Sequence, residues 1–385
     1  MTQEERLRCL AVQRHQTGES VTAICRSLGR SRVWLYRWLG RFGSGQQDWY
    51  HSRSRRPKHS GRSIPRDVEA AILTSRRRLD RADLFCGAQA IVWDLEDQGV
   101  EGVPSERTIA RILARHQVTS RREGRYCPKG TSYPSFWQKT PGQVQQTDFV
   151  GPCYLHGGIR FYSLHSIDIA INHCAIEPLS GLADAMDAIW KSWLRIGMPR
   201  YQQIDNAMIF FGSPRHPRGM GKLIRLCLHH EIEPIFIPVG EPWRNGVVEK
   251  FNDHWRQKFF TRTVMKDIPE LCRQSMAYER RHNERYRYSK LRGQTPLQAL
   301  HSSGMAPRYP LSDQRPEKLD KPEVGRYHVI RLIRSDGLLD VFTEKFQMPP
   351  EAMHEYVVAT INVDRQKLEI RLGSNLIDEI DYLLR

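Results

Sequence analysis

The sequence contains 385 residues, 39% of them hydrophobic, and carries a formal net charge of +16. No apolar run approaches the roughly 18 residues of a membrane span, and the opening MTQEERLRCL lacks the basic-then-apolar order of a signal peptide. The eight cysteines include no C-x-x-C pair, so we expect neither a zinc site nor a disulfide framework.

The positive charge is concentrated in the first third of the chain. Residues 1–140 contain 26 Lys and Arg against 14 Asp and Glu, whereas residues 141–385 contain 33 against 29. A polyanion partner such as DNA or RNA explains a basic segment of this size. A basic protein with no such partner is the alternative that charge alone leaves open.

Residues 1–45 predict three short helices, the third beginning near Ser31 in the basic stretch GRSRVWLYRWLGRF. A helix, a glycine turn and a basic helix are typical of a helix-turn-helix unit, whose second helix enters the major groove of DNA. A plain three-helix bundle is the alternative. The residues expected to face the core of this unit are Val33, Tyr36 and Leu39. The residues predicted to contact DNA are Arg32, Trp34 and Arg37.

A basic linker follows over residues 46–64. Its stretch HSRSRRPKHSGRS, residues 51–63, has five Lys and Arg, no acid and no apolar periodicity. Such a segment suits contact with DNA phosphates, an interaction that weakens as salt rises. A solvated tether is the alternative. The predicted phosphate contacts are Arg53, Arg55 and Arg56.

Residues 65–125 predict a second helix-turn-helix-like unit. Apolar residues at helical spacing mark its inner faces, and Ser105 stands where an N-cap begins the last helix. Two such units in succession would read a longer DNA site than either unit alone. The outward residues predicted to contact DNA are Arg107, Thr108 and Arg111.

From residue 138 to about 305 the pattern changes to strands and helices in the order β-β-β-α-β-α-β-α. This order favours an α/β domain with a mixed sheet covered by helices. Asp148 lies within the strand-like run QVQQTDF, and Asp205 ends the strand-like run RYQQID. Aspartate is depleted in strands and costly when buried without a partner. Either aspartate alone is explained by a satisfied strand end; two in one sheet suggest a shared site.

The stretch GEPWRNGVVEKFND, residues 240–253, predicts a helix with Asn245 as its N-cap. Its apolar stripe is expected to be core, and its polar stripe to face the two aspartates. Glu249 and Asp253 lie one helical turn apart on that polar stripe, and Glu241 precedes the helix. Clustered carboxylates repel one another unless a cation compensates, and Mg²⁺ prefers hard oxygen ligands. The apolar stripe consists of Val248, Phe251, Trp255 and Phe259.

Residues 324–375 contain short alternating segments, among them YHVIRLIR, LLDVF, EYVVATI and KLEIRL. Strands of this length joined by turns predict a small β-barrel-like domain at the C-terminal side of the α/β domain. The acidic end LIDEIDYLLR is expected to pack against the protein rather than contact DNA.

Three motifs together carry a resemblance to a known family. QTDF at Asp148, IDNA at Asp205 and NGVVEKFND at Glu249 resemble the Asp-Asp-Glu motif of retroviral integrases and of integrase-type transposases from bacterial insertion sequences. The resemblance spans roughly residues 5–300 and implies a ribonuclease-H-like catalytic core. It also implies a DDE transposase that cuts element ends and joins the freed 3′-hydroxyl to target DNA.

The resemblance assigns the site residues and partners. Matched one by one, Asp148, Asp205 and Glu249 are the expected catalytic and metal-binding residues, with Mg²⁺ as the cofactor and Mn²⁺ as its substitute. Asn252 and Arg256 share the helical face of Glu249 and are predicted to contact DNA ends. The partners are double-stranded DNA and further copies of the chain, at least a dimer on DNA, in the cytoplasm at the nucleoid. No membrane partner is expected.

This sequence departs from the family pattern at two places. The gap between Asp205 and Glu249 is 43 residues rather than the usual value of about thirty-five, and the excess falls in FGSPRHPRG, residues 211–219. This loop is interpreted either as a DNA contact or as a passive insertion. The familiar Asn-Gly after the second aspartate is Asn206-Ala207 here. Two rival functions remain: a non-catalytic DNA-binding regulator on the same scaffold, and a nuclease of the same fold.

Overall fold

A computed structural model of the chain describes residues 1–54, 64–119 and 132–385, in two compact units, 1–65 and 66–385. The first unit contains the three predicted helices, and Ser31 caps the third by accepting the Trp34 N–H. Its hydrophobic core is built on Ala11, Ile24 and Leu35. The helices of this unit are α1 (Gln3–Gln16), α2 (Val21–Leu28) and α3 (Arg32–Gly43).

The second unit begins with the second predicted trihelical segment, made of α4 (Arg66–Arg81), α5 (Ala88–Asp97) and α6 (Glu106–Arg115). Ser105 takes the N-cap position of α6, although its side chain makes no capping bond and contacts Thr108 instead. Each helix buries one apolar face, which matches the helical spacing of the sequence. The buried apolar residues are Ile72, Leu79, Ile91, Leu95, Ile109, Ile112 and Leu113.

This trihelical segment is fixed to the rest of its unit through the turn between α4 and α5. The Phe85 ring meets His254, Tyr286 and Tyr288 with centroids 4.9, 4.7 and 5.3 Å away. Asp80 pairs with Lys258 and with Arg262, each at 3.2 Å. The contact surface is therefore both aromatic and ionic.

The predicted order of strands and helices in the α/β domain is confirmed. The elements are β1 (Val144–Tyr154), β2 (Arg160–Asp168), β3 (Cys174–Leu179), α7 (Ala185–Ile196), β4 (Tyr201–Ile204), α8 (Met208–Phe211), α9 (Lys222–His229), β5 (Glu233–Phe236), α10 (Gly246–Lys258), α11 (Ile268–Arg285) and α12 (Pro296–Ser302). β1, β2 and β3 pair antiparallel, and β1, β4 and β5 pair parallel. The result is the mixed, helix-covered sheet expected of a ribonuclease-H-like core.

The C-terminal strands are present, but their pairing differs from the predicted barrel. They are β6 (Arg326–Leu332), β7 (Leu338–Val341), β8 (Glu344–Gln347), β9 (Tyr356–Asn362), β10 (Lys367–Leu372) and β11 (Asn375–Asp381). β6 pairs parallel to β5, so the main sheet has nine strands in the order β11-β10-β9-β6-β5-β4-β1-β2-β3. Without β6, β5 would be an edge strand with unpaired backbone groups, and β6 pairs with that edge.

The stretch 211–219, which lengthens the gap between Asp205 and Glu249, contacts these C-terminal strands. The Arg218 guanidinium pairs with Glu344 and lies 4.8 Å from the centre of the Tyr382 ring. The Tyr382 hydroxyl donates to the Pro217 carbonyl at 3.3 Å, and Thr343 donates to the Pro214 carbonyl at 3.1 Å. The lengthened stretch and the added strands therefore pack together.

Helices cover both faces of the sheet. Gln202 and Gln203 are neighbours on β4, so their side chains point to opposite faces. Gln202 accepts a hydrogen bond from Trp193 of α7, and Gln203 donates to Asn245, which immediately precedes α10. α7 and α10 therefore lie on opposite faces. None of the helices in the described residues has the length and apolar character needed to cross a bilayer.

The buried histidines of this unit generate a prediction about acid stability. His282 of α11 is fully buried between the Cys174 thiol at 3.1 Å and the Tyr288 hydroxyl at 2.7 Å. Burial lowers the pKa of His282 from 6.5 to about 3. In the unfolded chain this histidine binds a proton near pH 6.5, whereas in the folded chain it stays neutral until about pH 3. Stability present above pH 6.5 is therefore lost as the pH falls toward 3.

We expect the free energy of unfolding, measured in urea at pH 7, 6, 5 and 4, to fall with pH. The free energy of unfolding of the His282→Gln variant should fall less steeply than that of wild type, by about 1.4 kcal/mol per pH unit below pH 6. His301→Gln, which removes an exposed histidine of α12, is the matched control and should keep the wild-type slope. An unchanged slope in His282→Gln would contradict the prediction.

Candidate active site

The parallel pairing of β1 with β4 brings the two predicted aspartates to the same edge of the sheet. Gln146 is opposite Gln203 in this ladder, and the same register carried two residues further aligns Asp148 with Asp205. Asp205 directly follows the carboxyl end of β4, and Asp148 lies within β1 at the same level, so the two acids are neighbours on adjacent strands. Sequence reasoning found both residues because each interrupts an otherwise strand-like run.

Two buried glutamines connect this edge to the helix that carries Glu249. The Gln146 side-chain oxygen accepts the N–H groups of Val247 and Val248 at 3.0 and 3.1 Å. The Gln203 amide donates to the Arg244 carbonyl at 2.9 Å and to the Asn245 side chain at 3.0 Å. The free N–H groups at the start of α10 are thus bonded from the sheet.

This arrangement corrects the predicted cap of α10. Asn245 does take the N-cap position, but its side chain makes no capping bond. Its oxygen accepts from Gln203, and Gln146 performs the capping instead. Sequence reasoning missed both glutamines. The available signal was the repeated pattern of a Gln-Gln pair followed by one residue and an aspartate, in QQTD and QQID.

Asp148 is held by Asn252, one helical turn after Glu249. The Asn252 amide donates to Asp148 Oδ2 at 2.9 Å, and the Phe149 N–H donates to Oδ1 at 2.9 Å. The Asn252 oxygen in turn contacts His165 Nδ1 at 2.7 Å. Asn252 was predicted to contact DNA ends; in the structure its side chain supports a carboxylate, and the DNA contact stays a prediction.

His165 completes this chain of hydrogen bonds from β2, directly opposite Asp148. Burial lowers the pKa of His165 to about 4, so the ring is neutral at neutral pH. Because the Asn252 amide is used by Asp148, its oxygen must accept, and His165 Nδ1 carries the proton. Nε2 then accepts from the Ser163 hydroxyl at 2.9 Å. Sequence reasoning did not single out this histidine.

Asp205 lies in a turn closed by its own side chain. Asp205 Oδ1 accepts the Ala207 N–H at 3.1 Å, and the Asn206 amide donates to the Ile237 carbonyl at 2.6 Å. The bond to Ala207 is a backbone contact that the usual glycine would also offer. The Asn206-Ala207 departure from the family pattern is therefore accommodated.

The ionisation of Asp148 depends on the other two carboxylates. Burial, then the neighbouring Asp205 and Glu249, raises the pKa of Asp148 to about 6. Burial also raises the pKa of Asp205, and burial with Asp253 raises the pKa of Glu249. Asp148 is the shared neighbour of the other two acids. A cation placed among them would remove this repulsion.

Glu249 and Asp253 occupy different environments on α10. Glu249 is half-buried and acts on Asp148, whereas Asp253 is exposed and pairs with Lys250 at 3.4 Å. The predicted apolar stripe of Val248, Phe251, Trp255 and Phe259 is fully buried, as expected. Glu241 pairs with Arg244 and accepts from the Tyr356 hydroxyl of β9, so it serves the packing of the loop.

A cleft of about 570 Å³ opens beside these residues. Its lining combines the Phe149–Gly151 segment of β1 with the polar face of α10, including Glu249, Asn252 and Arg256. Arg256 is exposed there, as a DNA contact requires. Among the described residues, no three His, Cys, Asp or Glu side chains are arranged to hold one metal ion together. The carboxylates are close as pairs, with Asp148 common to both.

The structure revises which residues of α3 are available to DNA. Val33 and Tyr36, expected inside, are 69% and 58% exposed, and Leu35 and Trp38 are buried instead. Trp34 is half-buried against the core of its unit. The helix begins where it was predicted, but its buried positions lie two residues after Val33 and Tyr36, and Leu39 packs against the core as expected. Arg32 and Arg37 are exposed as predicted.

The other predicted DNA contacts have the following positions. Arg107 and Arg111 are exposed on α6, and Thr108 is half-buried. Arg53 is exposed and donates to the Gln46 side chain at 2.5 Å. Arg55 and Arg56 fall outside the described residues. Each of these DNA contacts remains a prediction.

The chain was compared with protein-family models, with curated proteins and with solved structures. Residues 2–50 match a homeodomain-like domain, and residues 230–296 match an integrase core domain. No curated protein matches. The second match includes α10 and Glu249, and it indicates polynucleotidyl transfer or DNA integration in general terms.

Solved integrase structures cover more of the chain at low similarity. The HTLV-2 integrase catalytic core domain in complex with magnesium, in its trimeric form, is 14% identical over 42% of this chain and 97% of that chain, with a TM-score of 0.33. The simian T-cell lymphotropic virus intasome in complex with PP2A regulatory subunit B56 gamma is 14% identical over 80% of this chain and 97% of that chain, with a TM-score of 0.38. The similarity rests on the two family matches: a homeodomain-like domain followed by an integrase core domain supports a protein of the integrase or transposase type.

Proposed function

We propose that the chain is a transposase that cuts the ends of a DNA element and joins the freed 3′-hydroxyl to target DNA. One observation carries the proposal: the register of β1 and β4 aligns Asp148 with Asp205, and Asn252 ties Asp148 to the helix whose Glu249 lines an open cleft. Repelling carboxylates beside a cleft suit a reaction that brings cations and phosphates together.

The donor set fits divalent magnesium, with manganese as its substitute. All three side chains offer hard carboxylate oxygens, and none of the three takes part in an ion pair with Lys or Arg within the described ranges. Asp148 and Asp205 would hold one ion, and Asp148 and Glu249 a second. Bound ions of this kind stabilise the attacking and leaving oxygens of a phosphodiester.

The chain's own residues supply positioning rather than a nucleophile. Water attacks in the first step and a DNA 3′-hydroxyl in the second, so no side chain forms a covalent intermediate. Asn252 and His165 fix the direction of Asp148, and Gln146 and Gln203 fix the start of the helix that carries Glu249. Holding reacting groups in place in this way lowers the barrier by preorganisation.

DNA is proposed to be held by the two helical segments and by the cleft. Arg32, Val33, Tyr36 and Arg37 form the exposed face of α3, and α6 presents Arg107 and Arg111. Two ends of an element must be brought together for joining, so we propose at least a dimer on DNA.

One assay separates this function from its rivals. Purified protein is incubated with Mg²⁺ or Mn²⁺, a labelled element end and a target plasmid. Joined products support transposition, nicked products alone support a nuclease, and a shifted DNA band without either product supports a regulator.

The first prediction concerns the three acids. Asp148→Asn, Asp205→Asn and Glu249→Gln should each reduce joining roughly 100-fold or more, since each removes a charge that the transition state requires. DNA binding in a gel-shift experiment should be retained. Asp253→Asn tests the neighbouring acid of α10 and should cost far less. If Asp253→Asn abolished joining while Glu249→Gln did not, the assignment of Glu249 would be wrong.

The second prediction concerns the exposed face of α3. Arg37→Ala should weaken binding to an element end and lower the slope of log K against log salt by about one unit, since one phosphate contact is lost. Arg6→Ala, an exposed arginine of α1, makes the same charge change elsewhere on the unit. Equal effects of the two substitutions would show that net charge, and not this face, governs binding.

A further inference from the structure

β6 contains a buried arginine whose hydrogen-bond acceptors are all uncharged, although the charge of Asp340 favours its cationic form. Arg331 is 6% exposed, and burial lowers its pKa to about 10, so it remains a cation at neutral pH. Its Nε donates to the Asp340 carbonyl at 3.0 Å, and Nη1 donates to the carbonyls of Ile237 and Ile330, both at 2.9 Å. No described carboxylate lies within ion-pair distance of it. Removing a cation from water without an ion-pair partner costs free energy, which suggests that Arg331 has a role beyond packing.

The remaining bond of Arg331 reaches the turn of Asp205. Nη2 donates to the Asn206 side-chain oxygen at 2.8 Å, and the Asn206 amide donates to the Ile237 carbonyl at 2.6 Å. That carbonyl also accepts from Arg331, so the three residues form a closed set of hydrogen bonds. Within the described residues, Arg331 donates to three backbone carbonyls and to one side chain, that of Asn206. It directly follows Asp205.

The strand order explains why an arginine can reach this turn. β4, β5 and β6 run parallel, so their carboxyl ends share the edge at which Asp205 lies. The β5–β6 ladder ends at Phe236 and Val329, and Arg331 stands two residues further along β6. A guanidinium has five N–H donors in a planar fork, enough to bond strand-end carbonyls and still reach Asn206.

We propose that Arg331 is a positioning residue that sets the direction of the Asp205 carboxylate through Asn206. The inference rests on the proposed function, which assigns Asp205 to a divalent metal ion. Asp205 Oδ1 is occupied by the Ala207 N–H, so the orientation of the 205–207 turn decides where Oδ2 points. Arg331 acts on that orientation and makes no contact with Asp205 itself. Residues that orient a ligand typically change metal affinity 10–100-fold when removed.

A metal-binding measurement tests the proposal without relying on DNA chemistry. The full chain is titrated with Mn²⁺ by calorimetry in the absence of DNA. Arg331→Met removes the fork while keeping an unbranched side chain, and we expect it to weaken Mn²⁺ binding 10–100-fold. Arg331→Lys keeps the charge but not the fork, and should fall between wild type and Arg331→Met.

Two further variants separate positioning from a general loss of structure. Asn206→Ala breaks the same link from its other end, and combined with Arg331→Met it should weaken Mn²⁺ binding no more than the stronger single change. His328→Gln is the matched control: His328 is equally buried on β6, but its partners are Thr360 and Glu233. It should lower the melting temperature and leave Mn²⁺ affinity unchanged.

The reference variant Asp205→Asn keeps the two proposals distinguishable. If Asp205→Asn bound Mn²⁺ as tightly as wild type, the metal role of Asp205 would fail. If Asp205→Asn weakened binding and Arg331→Met did not, the positioning role of Arg331 alone would fail. Weaker Mn²⁺ binding in His328→Gln, equal to that of Arg331→Met, would also overturn it, because loss of sheet stability would then explain both.

Discussion

The candidate active site depends on the bonds that two buried glutamines make to the start of α10. A helix begins with N–H groups that have no partner within the helix, and a buried start must bond them elsewhere. Gln146 of β1 accepts two of them, and Gln203 of β4 binds the preceding turn. Each glutamine lies two residues before one of the aspartates. The same strands therefore present the aspartates and fix the helix that presents the glutamate.

This arrangement has an electrostatic consequence that packing alone would not favour. Asp148 and Asp205 lie on adjacent strands beside Glu249 of α10, and burial raises the pKa of all three carboxyls. The charges of Asp205 and Glu249 raise the pKa of Asp148 further. A fold selected only for stability would replace such a group by apolar residues. Their grouping, with Glu249 lining a cleft, favours the proposed metal-assisted chemistry over an ordinary strand end. The hydrogen bonds from His165 to Asn252 and from Asn252 to Asp148 also fix the direction of the Asp148 carboxylate.

The sequence predicted the core well because its signals were local. Strand periodicity and turn residues predicted the element order, and two aspartates out of place in strand-like runs singled out Asp148 and Asp205, which lie on adjacent strands. The inner face of α3 was misassigned because Val33 and Tyr36 are apolar yet exposed, and an apolar residue at helical spacing is read as core from sequence. The roles of His165 and Arg331 depend on which strands are neighbours. His165 is 17 residues from Asp148, and Arg331 is 126 residues from Asp205, so no local pattern connects them.

The pairing of β6 with β5 changes how the C-terminal strands relate to the site. Strands in a separate barrel would influence the carboxylates only through a linker. As a continuation of the sheet, β6 reaches the turn of Asp205 through Arg331, and β9 reaches the loop before α10 through Tyr356. The separate β7–β8 pair contacts the 211–219 stretch through Glu344. The longer gap between Asp205 and Glu249 is then explained by contact with these strands, since residues 214–218 bond to them rather than projecting freely. The longer stretch and the C-terminal strands thus support each other, and contacts from these strands also reach the segments that flank Asp205 and precede Glu249.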